Sequence, residues 1–297
     1  MRWLYHVTTD PPAPCAPLQP SSLATEGFVH ASYAPRVAES AALYFAGASP
    51  VVLRIDPRRV AARVEEADTP RGPMPHVHGR IPGDAIREVL SLSGMDAAPD
   101  RVTGTRVAFV AFAGMTLLDL VAMLDPLSRI RSMGFDETFT YDVISADAPV
   151  VFEGGGATLA VTAVRPPLDG YDLIAVAGGI PSRALAADPA VVAWLRTFPA
   201  NRVAASVCTG ALLLGAAGRL SGKRATTHAS ALGSLEAYGA TPVTERVVDE
   251  GTVVTAGGVT SGIDLGLHLV ARLEGPDVAR AIAAQMAVRG GPYGMPA

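Results

Sequence analysis

Cysteine is scarce in this chain. Its 297 residues contain only Cys15 and Cys208. They fall in different halves and supply no disulfide framework, so a reduced, cytoplasmic protein is expected. Runs of Lys or Arg are also missing. The 24 basic residues are set against 28 acidic ones, a formal net charge of −4, which argues against a nucleic-acid footprint. The opening Met1-Arg2-Trp3-Leu4-Tyr5-His6 has no charged region followed by an apolar one, so no signal peptide is read there. The most apolar stretch, residues 41–53, is broken by Gly47, Ser49 and Pro50, and no membrane span is expected. What is present is a content of 49% hydrophobic against 18% charged residues, the balance of a packed globular protein. The length suggests two domains, each long enough to bury a core.

Taken in order, residues 3–7 read as a strand and the proline-rich 11–20 as a loop, because proline cannot donate to a ladder. Residues 27–32 read as a second strand. The spacing predicts a helix over 34–45 with Val37, Ala41 and Tyr44 on one face. Strands are read at 50–56 and 60–66, a polar turn at 75–79 and a last short element at 84–92. The polar, Pro- and Gly-broken segment 96–104 is the expected linker. It divides a small α+β domain, residues 1–95, from a second domain, residues 105–297.

After the linker the pattern changes to alternating strand and helix. Strands are expected at 106–112, 141–145, 158–162, 171–179 and within 247–256. Helices are expected at 117–133, 188–198, 230–238, 261–274 and 276–288. This alternation predicts an α/β, flavodoxin-like parallel sheet with helices on both faces and ligands at the carboxyl ends of its strands. Residues 203–218 run from a small apolar strand through Cys208 directly into an Ala/Leu-rich helix. A cysteine at such a corner is either a nucleophile or a buried core thiol. As a nucleophile it would lie beside the helix-opening N–H groups, which lower a thiol pKa and stabilise developing negative charge.

Three motifs of the first domain carry a resemblance: Tyr5-His6-Val7-Thr8, Glu26-Gly27-Phe28-Val29-His30-Ala31-Ser32 and Pro75-His76-Val77-His78-Gly79. They resemble a small bacterial family catalogued as domain of unknown function 952, similar in outline to the ADP-ribosyltransferase-like fold. That resemblance makes His6, His30 and His76 ligand candidates. Read as residues alone, they are equally strand-end histidines satisfied by backbone. The His76-Val-His78 pair is too sparse to specify a metal site, and none is assigned.

The second domain carries Phe112-Ala-Gly-Met-Thr-Leu-Leu-Asp119-Leu, Tyr171-Asp-Leu with Gly178-Gly179, Ser206-Val-Cys208-Thr209-Gly210-Ala211, residues 218–228 ending at His228, and residues 255–264. In this order they resemble the ThiJ/PfpI superfamily, which has the class I glutamine amidotransferase-like fold, and within it the isonitrile hydratases. The resemblance implies a cofactor-free lyase that adds water to a small-molecule isonitrile, working as a homodimer. It implies Cys208 as nucleophile and Asp119 as acid and base, with the Thr209 hydroxyl orienting a reacting group. The N–H groups of Gly179 and Thr209 would face developing charge. Read alone, Asp119 is equally a carboxylate placed for the helix dipole. Beside a thiolate its pKa should rise. Asp125 stands where relatives carry a Glu, and Ala122 and Met123 replace a Gly-Pro pair. His228 is either a partner of Cys208 or a satisfied histidine. A glyoxalase or deglycase uses the same Cys and acid, and a redox or stress sensor needs only Cys208. Related regulators carry a helix-turn-helix pair, for which residues 289–297 are too few. Thr209 stands where the superfamily's peptidases have His.

Overall fold

The computed structural model describes residues 2–100, 102–152 and 156–294. They form two compact units, Met1–Val102 and Thr103–Ala297.

In the first unit the elements are β1 (Leu4–Thr8), α1 (Ser21–Thr25), β2 (Val29–His30), α2 (Val37–Tyr44), β3 (Val51–Ile55), β4 (Val64–Thr69), β5 (Gly72–Val77) and β6 (Ile86–Ser91). Among the described residues they make two three-stranded antiparallel sheets, ordered β1-β3-β6 and β2-β5-β4. Alternation along β1 and β3 sends Leu4, Leu53 and Ile55 into one apolar cluster and Tyr5 and Val52 into another, as a two-residue period requires.

Three local expectations change here. Val37 and Ala41 are buried on α2, but Tyr44 is 68% exposed. Its ring instead sits under the Arg71 guanidinium, which donates to its hydroxyl at 3.3 Å. The expected turn at 75–79 is largely strand, with His76 inside β5. Pro73 and Pro75 alternate along it, so both missing N–H groups fall on the edge where β2 pairs only through Val29 and His30. The segment expected as linker is tied to β1 as far as Asp100. Trp3 N donates to the Asp100 carbonyl at 2.9 Å, Arg2 pairs with the Asp100 carboxylate at 2.8 Å, and the Tyr5 hydroxyl donates to the Pro99 carbonyl. Arg101 of that segment lies outside the described residues.

The second unit runs β7 (Arg106–Ala111), α3 (Leu117–Ser132), β8 (Thr140–Ser145), β9 (Val150–Phe152), β10 (Thr158–Ala160), β11 (Ala163–Val164), β12 (Leu173–Val176), α4 (Ser182–Leu185), α5 (Pro189–Arg196), β13 (Val203–Val207) and α6 (Gly210–Ala216). It continues through β14 (Arg224–Ala225), a 3₁₀ run (Ala229–Tyr238), β15 (Thr241–Pro242), β16 (Val247–Asp249), β17 (Val253–Ala256), α7 (Ser261–Glu274) and α8 (Pro276–Gln285). Seven strands form one sheet, ordered β11-β8-β7-β12-β13-β17-β16, parallel throughout except for β16. Its central strands are buried along their length, as expected of parallel strands covered on both faces. The helices group in two layers, α3 with α7 and α8, and α4 with α5 and α6. On α3 the buried Leu120, Met123, Leu127 and Ile130 keep helical spacing. A Cβ on Gly262 would stand 2.7 Å from that of Ala122, so Ala122 meets α7 at close range.

Residues 158–162 do not extend the main sheet. β10 pairs with β9 in a separate two-stranded ladder, and only β11 joins the main edge. The helix expected at 230–238 forms as 3₁₀ turns, opened by His228 Nδ1 accepting from Ser230 N.

The sheet order sets the position of the site. The chain enters at β7, builds outward through β8 and β11, then crosses back to place β12 on the other side of β7. Between β7 and β12 the connections diverge, the switch point at whose carboxyl ends α/β sheets place their ligands.

Candidate active site

Three of those loops converge. β7 leads through Met115 and Thr116 into α3, whose first turn carries Asp119. β12 ends in Gly178 and Gly179. Thr116 N donates to the Gly178 carbonyl at 2.9 Å, and Met115 bridges Gly179. β13 ends at Cys208, from which α6 departs after Thr209.

Cys208 is held at φ +54°, a left-handed conformation that costs a non-glycine residue about 1–2 kcal/mol. It persists because the surroundings hold it. Its N–H donates to Gly257 O at 2.8 Å and Ala256 O at 3.1 Å, and its carbonyl accepts from the Thr227 hydroxyl at 2.6 Å. A Cβ on Gly210 would lie 2.5 Å from the Val176 carbonyl oxygen, so only glycine lets α6 start against β12.

Asp119 is fully buried. Its Oδ2 accepts from Gly178 N at 3.1 Å, while Oδ1 has no hydrogen-bond partner among the described residues. The Cys208 thiol lies beside this carboxyl, and each moves the other's ionisation. Burial raises the Asp119 pKa to about 6. Hydrogen bonds from Cys208 and Gly178, and the charge of His228, pull against it. The rise expected for Asp119 is present, but its cause is desolvation rather than repulsion by a thiolate.

For Cys208 the expected direction is reversed. Burial, followed by the Asp119 charge, pushes the thiol up to about 11, and the Thr209 N–H and hydroxyl only partly offset this. The helix-opening N–H is present, but taking a thiolate out of water costs more than one such donor returns.

The Thr209 hydroxyl is engaged within the protein. It donates to Gly179 O at 2.9 Å, accepts from Gly179 N at 2.8 Å, and lies 3.1 Å from Ser182 Oγ. The Gly179 N–H expected to face developing charge is therefore occupied, whereas the Thr209 N–H points at the sulfur. Asp125 pairs with Arg129 one turn along α3 at 2.9 Å and is partly exposed. Six residues on from Asp119, it sits on a different side of the helix. His228 bonds to Ser230 and reaches Asp119 only through its charge.

Two residues of the site carry no obvious sequence signal for their part in it. Thr227 bonds to the Cys208 carbonyl across 19 positions. Gly178 stands where a Cβ would come within 2.7 Å of both Asp119 Oδ2 and Thr209 N. The Gly178-Gly179 pair was the available clue.

In the first unit, His30 and His76 are cross-strand partners with ring centroids 5.4 Å apart, and His76 stacks on Phe28 at 3.9 Å. His6 lies behind them, its Nδ1 2.7 Å from the His30 carbonyl. Burial lowers the pKa of both His6 and His76. His30 pairs with Glu26 at 3.1 Å and His78 with Glu65 at 3.2 Å. Among the described residues, no group of three or more His, Cys, Asp or Glu is disposed to hold a metal ion.

A buried acid beside a cysteine on a strained strand-to-helix corner, at the switch point of a parallel sheet, agrees with what sequence comparison finds. Residues 105–272, more than half of the chain, match the DJ-1/PfpI family. The chain belongs to the DJ-1/PfpI family. Residues 13–89 match a second description, protein of unknown function (DUF952). Isonitrile hydratase of Pseudomonas putida is 35% identical over 182 residues, which cover 61% of this chain and 77% of that protein. The HTH-type transcriptional regulator CdhR of Pseudomonas aeruginosa is 34% identical over 181 residues, so the chain spans about half the length of that relative, 53%. Among solved structures, a ThiJ/PfpI family protein from Pseudomonas syringae superposes with a TM-score of 0.56 at 29% identity. It covers 67% of this chain and 80% of that one. Schizosaccharomyces pombe DJ-1 shares the fold, with a TM-score of 0.54 at 20% identity over 62% of this chain and 100% of that one. No helix among the described residues is long and apolar enough to cross a membrane.

Proposed function

We propose that this DJ-1/PfpI family protein is a cofactor-free, cytoplasmic lyase of the isonitrile hydratase type. The observation that carries the reading is the fully buried Asp119 carboxyl set against the Cys208 thiol, with one carboxylate oxygen unpartnered among the described residues. The 35% identity to an isonitrile hydratase supports the substrate class.

An isonitrile carbon is first a base and, once protonated, an electrophile. It calls for a proton and a soft nucleophile at the same point. At neutral pH the site holds both, as a thiol and a carboxylate. The thiol proton passes to Asp119 and on to the isonitrile carbon while sulfur bonds that same carbon, giving a thioimidate on Cys208. Asp119 then takes a proton from water as its oxygen bonds the carbon of the C=N bond, and passes that proton to the nitrogen. The C–S bond breaks as the remaining hydroxyl proton returns to sulfur, and the N-substituted formamide leaves. The Thr209 N–H steadies charge on sulfur, and the Thr209 hydroxyl holds Gly179, next to the Gly178 N–H that bonds the carboxylate. Asp125 and His228 play supporting parts at most.

Burial and the raised thiol pKa weigh against a redox sensor, which needs an exposed thiolate. The assay is formamide release from cyclohexyl isocyanide by the reduced protein without added cofactor. Turnover of methylglyoxal in place of the isonitrile would move the assignment to a glyoxalase or deglycase.

The pH dependence tests the protonation state. The rate constant kcat/KM is expected to rise through about 6 as Asp119 ionises, then stay level until the thiol ionises toward about 11. A rise that comes instead as the thiol ionises, toward about 11, would assign the thiolate as the resting nucleophile.

We also propose a homodimer. Leu118 and Val121, neighbours on α3, are 49% and 41% exposed, and Ile180 is 86% exposed, apolar surface that a second copy would cover. Light scattering of the full chain should return twice the chain mass, and Leu118→Glu should lower it. A monomer at micromolar concentration refutes the pairing. In the first unit, the His6, His30 and His76 group is the candidate ligand site. Resonance shifts of these imidazoles on titration with nicotinamide nucleotides would show binding, and unmoved resonances would remove the assignment.

A further inference from the structure

We propose that Thr227 is a positioning residue for the nucleophile. Its hydroxyl, bonded to the Cys208 carbonyl, holds the strained corner that aims Sγ at Asp119. The inference rests on the reading of Cys208 and Asp119 as the reacting pair.

Cys208 sits at φ +54°, so left to itself its backbone would relax toward negative φ and carry the Cα–Cβ bond to a new direction. Two groups oppose this. The carbonyls at the end of β17, Ala256 O and Gly257 O, hold the N–H side at 3.1 and 2.8 Å. The Thr227 hydroxyl holds the carbonyl side at 2.6 Å. Thr227 is 3% exposed, so its hydroxyl works away from water, where a lost partner leaves a carbonyl that solvent cannot satisfy. The segment bearing Thr227 is itself fixed on both sides. Thr226 N donates to the Thr255 hydroxyl at 2.9 Å, and His228 opens the following 3₁₀ run. The corner is thus clamped from β17 and from the segment after β14. The Thr227 hydroxyl is bonded to the Cys208 backbone carbonyl. It acts on the reaction through the direction of the Cys208 side chain.

The test compares Thr227→Val, which keeps the shape and removes the donor, with Thr227→Ser, which keeps the donor. Each is made in the full chain, with Thr227→Ala as a second donor-free variant should the valine form fail to fold. Isonitrile turnover should fall by about 10- to 100-fold in kcat in the valine or alanine form, the scale of a roughly 1 Å misplacement. KM should stay within about twofold and the serine form within about threefold of wild type, since positioning rather than uniform binding is removed. A second readout does not depend on the substrate being right. Alkylation of Cys208 by iodoacetamide, followed on its own peptide so that Cys15 does not interfere, should show its pH midpoint falling in the donor-free variants and not in serine. Read on variants whose circular dichroism and melting temperature show them folded under the assay conditions, that shift reports a thiol that has swung off Asp119. Wild-type kcat and an unmoved alkylation midpoint in folded Thr227→Val would overturn the proposal. If wild type turns over no isonitrile, the alkylation midpoints still decide it.

Discussion

Formamide release from cyclohexyl isocyanide is expected to fall by about 10²- to 10⁴-fold in Asp119→Asn, the usual worth of a positioned proton carrier. It should vanish in Cys208→Ala. The asparagine keeps an oxygen for the Gly178 N–H but takes no proton from sulfur. It also removes the negative charge that helps to hold the Cys208 thiol up. Alkylation of Cys208 in Asp119→Asn should therefore become faster near neutral pH while turnover is lost. Loss of structure would also uncover the thiol and speed its alkylation, so the gain is read on protein whose melting temperature shows it folded. Stability supplies a third sign. The folded Asp119 pKa of about 6 lies above its ordinary 3.8, so the folded state favours the protonated acid. The stability this contributes is fully present at low pH and is lost as pH rises through about 6. Above that range Asp119→Asn is expected to melt higher than wild type, by on the order of 2–3 kcal/mol if all of the shift is recovered. Full turnover in Asp119→Asn would end the assignment of that carboxyl as acid and base.

Gly178→Ala is the second large effect. The added methyl would lie 2.7 Å from Asp119 Oδ2 and Thr209 N, and 2.8 Å from Cys208 Cβ. Two of those three neighbours belong to the proposed reacting pair, and the third is backbone at a strained corner, so none can yield cheaply. The expected outcome is turnover at background level with a stability loss of about 1–3 kcal/mol, the range for an overpacked site. Gly233→Ala is the matching control, because a Cβ there meets nothing within 4 Å. It should leave both turnover and melting temperature close to wild type. Wild-type activity in Gly178→Ala would mean that the carboxyl and thiol need not stay where they are.

Those two substitutions also mark where sequence reading stopped. Cys208 and Asp119 were legible because the strand-cysteine-helix run and the Leu-Asp-Leu motif are local patterns. Gly178 was legible only as half of a Gly pair, and Thr227 only as part of the motif ending at His228. Their importance comes from atoms 59 and 19 positions away. Asp125 stood where relatives carry a Glu in the linear motif, as a candidate supporting residue. Its place on α3 turns it toward Arg129 instead. The Gly179 N–H looked free to stabilise charge until Thr209 folded onto it.

The first unit shows the same division. Its strands at 3–7 and 50–56 could be read from apolar runs, since β1 and β3 each send alternate side chains to two buried clusters. The stretch at 75–79 could not, because a polar run between Pro75 and Gly79 reads as a turn, and the fit of Pro73 and Pro75 at one edge of β5 depends on how little of β2 lies beside them. Tyr44 kept its helical spacing yet ended at the surface because Arg71, 27 positions on, offered its ring a cation.

By itself, the sequence determined the alternating α/β class of the second unit, its buried central strands and the corner at Cys208. These follow from hydrophobic period and local turn chemistry, which act over a few residues. Tertiary structure alone decided the ionisation of the pair. The Cys208 thiol, expected to be lowered by the start of α6, is raised because both groups are withdrawn from water and set against each other. Desolvation belongs to no residue, only to the packing of the strands and helices that close over it.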